Sequence, residues 1–291
     1  MSYNAHARRV GEKHIKDGPA LATAGTAAFL QSDLPQALQL YRAALENQCR
    51  TPLHTVQAPR AVVFDSAAAQ VRLWQVLVQL ASAGLHAFAT SGTLLGLVRE
   101  GGLLPFDKDL DIGLPMAELP AANTLLQQHG WQRAAAPQGM VNPVMLHDGQ
   151  GLSLDLCGFT ANKDGLALGG LWLHGVPDEW QRVTQYPQLR LHPQSRPEGS
   201  IWAIYDPEAW LAALYGPDWR TPDPNFDTVV AAYNLRSFSL LTQCYAFSRI
   251  YQKWLQGQLP KALALTRHSL RHLPDDALLL RVQQCLLQHG Q

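Results

Sequence analysis

The pattern of apolar and polar positions divides the chain into two kinds of segment. Phe29 to Leu45 reads FLQSDLPQALQLYRAAL, a Leu-Pro step ahead of apolar residues at helical spacing. Trp254 to Leu270 reads WLQGQLPKALALTRHSL, and nine of the 17 aligned positions are identical, Leu34-Pro35 and Leu259-Pro260 among them. Proline fits there because the first helical turn has no partner for its N–H. The preceding stretches, roughly 21–31 and 240–256, also have helical period, so each end of the chain predicts a helical hairpin. From about 58 to 230 the pattern changes, with short apolar runs between helical stretches and frequent Pro, Gly and Trp. The spacing predicts a helix from Asp65 or Ser66 to about Ala83, a strand at Leu85–Thr90 and a short helix from Ser91 to about Arg99. A strand at Leu110–Leu114, a helix over Ala117–Gln128 and strands at Met140–Leu146 and Leu152–Phe159 follow. Asp206-Pro207-Glu208 starts a further helix that Gly216 ends. The middle therefore predicts an α+β domain, a mixed sheet with flanking helices. The expected divisions are 1–57, 58–230 and 231–291.

In the first hairpin, Gly25, Ala37, Tyr41 and Ala44 fall at the small and aromatic positions of a 34-residue helical repeat. In the second, Ala262, Ser269 and Pro274 do so, with Ile250 at the Gly position. Both hairpins thus resemble tetratricopeptide units, in which small residues let two helices cross closely. A single repeat cannot bury its own face, so these must pack on each other, on the middle domain or on a protein partner. We expect the two to pack near each other, enclosing the middle domain between them.

Charge and composition narrow the function classes. The chain has 291 residues, with 23 Lys+Arg against 23 Asp+Glu, and its net charge is zero. A general nucleic-acid binder relies on a bulk positive field that this chain lacks. At 47% hydrophobic and 16% charged it can bury a sizeable core. Cys49, Cys157, Cys244 and Cys285 form no CxxC pair, so they read as reduced core thiols rather than as a zinc site or a disulfide framework. No signal-like N-terminus and no uncharged apolar run of 18 residues is present, so the expectation is a soluble cytoplasmic protein without a transmembrane segment.

The densest chemical signal is Phe106-Asp107-Lys108-Asp109-Leu110-Asp111-Ile112-Gly113. On an extended strand Asp107, Asp109 and Asp111 share one face, while Leu110 and Ile112 share the other. Three such carboxylates repel unless a cation or an Arg/Lys cluster neutralises them, and hard oxygen ligands suit Mg²⁺ or Mn²⁺. A solvated acidic turn is the plainer reading of an isolated DxD. An EF-hand is excluded, because Ile112 stands where its turn needs Gly and Pro115 follows. Upstream, Ser91-Gly92-Thr93 lies at a strand-to-helix turn whose backbone N–H groups can face a phosphate, although Ser91 also serves as a plain helix cap. Asp155 sits on an otherwise apolar strand, where it needs either a cation or the solvent face of an edge strand. Asp109, Asp111 and Asp155 are expected to converge within about 6 Å, a span that oxygen-ligated cations accommodate.

Taken together these residues resemble the LicD-type phosphotransferases, the family that includes fukutin and its relative. Ser91 to Leu114, SGTLLGLVREGGLLPFDKDLDIGL, is similar to the family signature, and Asp155 fits its later carboxylate. Ile204-Tyr205-Asp206-Pro207 through Leu214-Tyr215-Gly216-Pro217-Asp218-Trp219 resembles its closing segment, so the likeness runs from about Asp65 to Pro222. Phe106 and Lys108 depart modestly from the usual residues, and 156–204 carries no motif that aligns. The resemblance implies the nucleotidyltransferase superfold and transfer of a phospho-substituent, such as phosphocholine or an alditol phosphate. The donor would be CDP-activated and the acceptor a hydroxyl of a glycan or glycolipid. It implies that Asp109, Asp111 and Asp155 are the catalytic and metal-binding set, with Asp107 a fourth, less direct ligand. Ser91, Gly92, Thr93, Arg99 and Lys108 would bind substrate phosphate, although Arg99 fits equally an ion pair with Asp107 or an exposed helix end. Five tryptophans (Trp172, Trp180, Trp202, Trp210, Trp219) fall after the metal strands and are expected to pack rather than to form a choline cage. His147 and His174 are expected to be structural. Two other functions fit the residues: nucleotidyl transfer onto a small molecule or protein, and a non-enzymatic adaptor with a retired catalytic domain.

Overall fold

A computed structural model describes residues 17–50, 65–105, 107 and 109–289. They form two compact units. One gathers both ends of the chain, within 1–60, 223–231 and 238–291, and the other comprises 61–222 with 232–237. The short segments 223–231 and 232–237 thus belong to different units.

The helical unit contains α1 (Gly18–Leu30), α2 (Leu34–Arg50), α7 (Leu240–Leu255), α8 (Leu259–His272) and α9 (Ala277–His289). Asp17 caps α1 by accepting the Ala20 N–H at 2.7 Å, and Pro19 occupies its first turn. Gly25 lets α1 cross α2 closely, because a Cβ there would lie 2.9 Å from the Tyr41 ring. The apolar stripe of α2 (Leu34, Ala37, Tyr41, Ala44, Leu45) is buried, as is that of α7 (Leu241, Cys244, Phe247, Ile250, Trp254). These two helices pack on each other, so the ends of the chain complete one core. Arg42 ties them further: its guanidinium lies 4.7 Å from the Phe247 ring centroid and 2.6 Å from the Asp276 carboxylate. Asp276 also accepts the Leu278 and Leu279 N–H groups at the start of α9, and these bonds with Arg42 hold its carboxyl below the usual range. The two similar sequence segments become α2 and α8, each starting at its Leu-Pro step.

The sheet unit begins with α3 (Ser66–Ser82), capped by Asp65 through the Ala68 N–H. The chain continues through β1 (Phe88–Ala89), α4 (Ser91–Arg99), β2 (Asp109–Pro115), α5 (Leu119–Gln128), β3 (Gln132–Arg133), β4 (Met140–Asn142) and β5 (Val144–His147). Then follow β6 (Ser153–Ala161), β7 (Ala167–Leu173), β8 (Arg182–Tyr186), β9 (Leu191–Arg196), β10 (Gly199–Ile204) and α6 (Pro207–Tyr215). The main sheet has the order β1-β2-β6-β5-β3, with β7 pairing β6, β4 and β8, while β9 and β10 form a separate ribbon. The β2–β6 pair is parallel and the other pairs are antiparallel. A parallel pair needs a crossover, which α5 and the small strands supply. Leu110, Ile112, Leu114, Leu154 and Leu156 bury the face that packs on α3 and α5. On the other face Phe88, Phe159, Tyr186 and Trp210 form an aromatic core, with Tyr186 stacked 4.4 Å from Trp210. Gly113 admits that core, since a Cβ would lie 2.5 Å from the Phe88 ring.

The predicted strand at Leu85–Thr90 shortens to two paired residues, and Met140–Leu146 divides at Pro143, which has no N–H for a ladder. The observed architecture is α+β, a mixed sheet flanked by helices with further helices at both ends of the chain. Among the described residues no helix is long and apolar enough to cross a membrane.

One buried group gives the helical unit an acid limit. His268 on α8 is 8% exposed, and its Nε2 has no hydrogen-bond partner among the described residues. Burial first, then Arg271 and His272, push its pKa down to about 4 against an opposing pull from Asp227. The unfolded chain takes up this proton near pH 6.5 and the folded chain only near 4, so the contribution is intact above 6.5 and is lost as pH falls toward 4. We predict that His268→Leu flattens the fall of the thermal midpoint between pH 6.5 and 4. An unchanged slope, read by circular dichroism melts, would contradict this origin.

Candidate active site

The site is built where β1 turns into α4 beside the start of β2. Thr90 is extended and donates its N–H to the Asp111 carbonyl at 3.1 Å, while its own carbonyl accepts the Leu94 N–H. Ser91 then takes φ of +44°, a left-handed conformation that costs a non-glycine residue about 1 kcal/mol. This turn aims the Gly92 N–H at Asp111 Oδ2, 2.9 Å away. Thr93 is fully buried, and its hydroxyl accepts the Asp111 N–H at 2.8 Å. Both Gly92 and Thr93 therefore hold Asp111 directly, one by its side chain and the other by its backbone. A Cβ on Gly92 would lie 3.2 Å from Asp107 Oδ2 and 3.3 Å from Asp111 Oδ2, so both carboxylates close over this glycine.

The strands bring the remaining carboxylates together. In the parallel β2–β6 ladder Asp111 lies directly opposite Asp155, and Asp109 opposite Ser153. Because the intervening leucines and Ile112 face the core, all three aspartates stand on the other face, half-buried. Burial, then Asp109, Asp155 and Asp107, raise Asp111 well above the usual carboxylate range, and the Gly92 N–H only partly opposes them. Asp155 is pushed up to about 7, by burial and then by Asp109. These are the signatures of negative charges held together at a cost. Among the described residues, however, no three His, Cys, Asp or Glu side chains are gathered closely enough to hold a metal ion by themselves. The expected convergence is thus a shared face with mutual repulsion rather than a ready three-ligand cage.

Arg99 ends α4 with its side chain only 10% exposed, which removes the reading as an exposed helix end. It pairs with Glu100 at 2.7 Å and donates from Nη1 to the Trp219 carbonyl at 3.3 Å. Lys108 and Phe106 lie outside the described residues. Trp210 and Trp219 are buried, and Trp210 Nε1 donates to the Thr90 hydroxyl at 3.3 Å, so these two pack as expected. His147 is on β5 opposite Ser153, and the backbone N–H of His174 donates to the Gly139 carbonyl.

Three residues join the site that the sequence does not single out. Tyr215 closes α6, and its phenol is raised by burial first and then by Asp111, Tyr186 and Asp107, with Arg99 opposing. Cys157 is raised by burial and by the neighbouring aspartates Asp111, Asp155 and Asp109, and Arg182 opposes. Arg182 itself is 5% exposed on β8, a buried cation on the carboxylate side of the sheet. Two signals point to the first two: Tyr215 belongs to the Tyr-Gly-x-x-Trp segment, and Cys157 follows Asp155 by two positions on one strand. Nothing in the sequence pattern of 156–204 marks Arg182.

Residues 84–202 match the family model described as LicD/FKTN/FKRP, nucleotidyltransferase domain. This part of the chain is a LicD-type domain. The match takes in the Ser91 turn, β2 and β6, and ends before α6, so Tyr215 and Trp219 lie beyond it. No curated protein matches the chain. Among solved structures, the lincomycin-bound crystal structure of lincosamide antibiotic adenylyltransferase LnuA is similar at 14% identity, covering 47% of this chain and 80% of that one, with a TM-score of 0.32. The solution structure of antibiotic-resistance factor ANT(2'')-Ia is similar at 12% identity, covering 71% and 99%, with a TM-score of 0.33.

Relief of the repulsion in the LicD-type domain should be measurable without any ligand. In protein stripped of divalent ions at about pH 8, Asp155→Asn removes one charge from the pair and should raise the thermal midpoint by about 2–4 °C. A lowered midpoint would mean that Asp155 is held by a favourable partner instead.

Proposed function

We propose that the LicD-type domain is a Mg²⁺- or Mn²⁺-assisted transferase. It moves a phospho-substituent, of the phosphocholine or alditol phosphate kind, from a CDP-activated donor to a hydroxyl of a glycan or glycolipid. The observation that carries this reading is Asp111 opposite Asp155 on neighbouring parallel strands, each raised by burial and by the surrounding carboxylates. The donor set fits such a cation: Mg²⁺ prefers oxygen and is commonly held by one or two carboxylates, its other positions going to water and substrate phosphate. Asp109 and Asp111 would hold the ion, with Asp155 adjacent and Asp107 behind Gly92. When bound, the ion offsets the charge of the donor diphosphate and polarises the phosphorus under attack.

The chain's own groups supply the rest. Asp155, next to the carboxylates that would hold the ion, is placed to accept the proton of the attacking hydroxyl on a carboxylate oxygen. The Gly92 N–H and the Thr93 hydroxyl hold Asp111, so the turn would serve the donor by placing that carboxylate beside the start of α4, a helix end where phosphate is favoured. Arg99 and Lys108 would supply positive charge to the donor diphosphate and to the phosphate of the departing CMP, and Tyr215, kept neutral by its surroundings, would donate a hydrogen bond. We place this chemistry in the cytoplasm, with the terminal helices available to a protein partner.

Incubation with Mg²⁺ and a panel of CDP-linked donors should release CMP, and the donor that reacts should raise the thermal midpoint. Asp109→Asn and Asp111→Asn should each lower turnover by at least about a thousandfold and weaken Mg²⁺ binding, with the circular dichroism spectrum retained. Pyrophosphate released from a nucleoside triphosphate would point instead to nucleotidyl transfer. Unchanged Mg²⁺ affinity in both variants would remove the metal assignment.

A further inference from the structure

The helical unit carries a pair of thiols that the proposed transfer does not use. Cys49 lies in the last turn of α2 and Cys285 in α9, and both are half-buried free thiols. The two helices pack directly on each other. Cys285 Sγ stands 4.0 Å from the Cys49 carbonyl oxygen, and the two side chains are within hydrogen-bonding reach of each other. Paired ions flank them: Glu46 binds Arg50 at 2.7 Å and Arg281 at 3.4 Å, with Glu46 and Arg281 about one turn before each cysteine. The Glu46–Arg281 pair thus joins α2 and α9 about one turn from the sulfurs. The contrast with the other cysteines is informative. Cys244 is fully buried, with its Sγ 3.3 Å from the Leu34 carbonyl, and Cys157 lies among the aspartates of the other unit.

We propose that Cys49 and Cys285 form a reversible disulfide that clasps the N-terminal and C-terminal parts of the helical unit. The co-reactant is a low-molecular-weight disulfide such as oxidised glutathione. The Cys285 thiolate attacks one sulfur of that disulfide, breaking its S–S bond, forming a mixed disulfide and releasing one small thiol. Cys49 then loses its proton to solvent and attacks the Cys285 sulfur, expelling the second small thiol. Two protein thiols are oxidised by two electrons, and one small disulfide is reduced to two thiols. Burial and the adjacent Cys285 push Cys49 up to about 12, so the first attack falls to Cys285; once Cys285 is in the mixed disulfide it carries no charge to oppose ionisation of Cys49 for the second. The bond would close a loop from residue 49 to residue 285, which constrains the unfolded chain strongly.

The test uses the full chain equilibrated in glutathione buffers from fully reducing to fully oxidising, quenched with an alkylating reagent and mapped by mass spectrometry without reduction. The expected result is one internal cross-link joining the Cys49 and Cys285 peptides, with a thermal midpoint about 5–10 °C above that of the reduced protein. Cys49→Ser or Cys285→Ser should remove both the cross-link and the oxidant-dependent rise. Alkylated free thiols at both positions under oxidising conditions would overturn the clasp. Separate glutathione adducts on each cysteine would overturn it as well, because they would show that the two sulfurs do not meet.

Discussion

The sheet unit is organised around like charges that the backbone does not allow to separate. Parallel pairing of β2 with β6 fixes Asp111 opposite Asp155, and the period of the strand places Asp109 on the same face. Two full negative charges about 5 Å apart repel by roughly 3 kcal/mol at an effective dielectric of about 20. The strand cannot slip to relieve this, because a shift of one residue would turn Leu110, Ile112 and Leu114 out of the core. The hydrophobic face therefore enforces the electrostatic one. Burial first, and the repulsion after it, raise the pKa values of Asp111 and Asp155, and a divalent cation or the protons themselves are what can lower the repulsion.

The Ser91 turn works against the same repulsion. Its left-handed residue lets Gly92 offer an N–H to Asp111 while Thr93 binds the backbone of the same residue. Thr90 is held by the indole of Trp210, which is stacked on Tyr186 and packed against Phe159. The aromatic core thus fixes the turn, the turn fixes the Asp111 carboxylate, and the strand register fixes what that carboxylate faces. Local backbone strain is tolerated here because packing on every side over-determines the conformation.

How much of this can be read in the sequence depends on how local the cause is. The aspartates at alternate positions of one strand and the glycine between two hydroxyl residues are local patterns, so Asp109, Asp111 and the Ser91–Thr93 turn are legible from the residues alone. Asp155 is legible too, because a carboxylate on an apolar strand needs a reason. The role of Thr93 is not: a phosphate cradle and a buried tie to β2 use the same residue, and only the register distinguishes them. Arg182 escapes a sequence reading, since its importance comes from β8 pairing beside β7, a contact between residues with no shared motif. The four strands between 167 and 204 escape it for a related reason. Their edges and ribbon mix exposed polar residues such as His192, Gln194 and Ser195 with few alternating apolar ones.

The helical unit is legible as two hairpins, but its completeness follows from chain connectivity. Its core is shared between α2 and α7, and Arg42 reaches Asp276 across 234 positions of sequence. Neither end of the chain can bury its apolar stripe alone, as expected of helical pairs that depend on stacked neighbours. The chain must therefore return after the whole LicD-type domain has been traversed before this core can close. Contacts of such separation carry a loop-closure cost that grows only slowly with length, so the inserted domain adds little to that cost beyond what a shorter connection would impose. If the middle folds first, its own compactness shortens the effective loop, and the pairing of the two ends becomes the late step. Among the described residues, the sheet core contains nothing from before 65 or after 237, which is what permits that order.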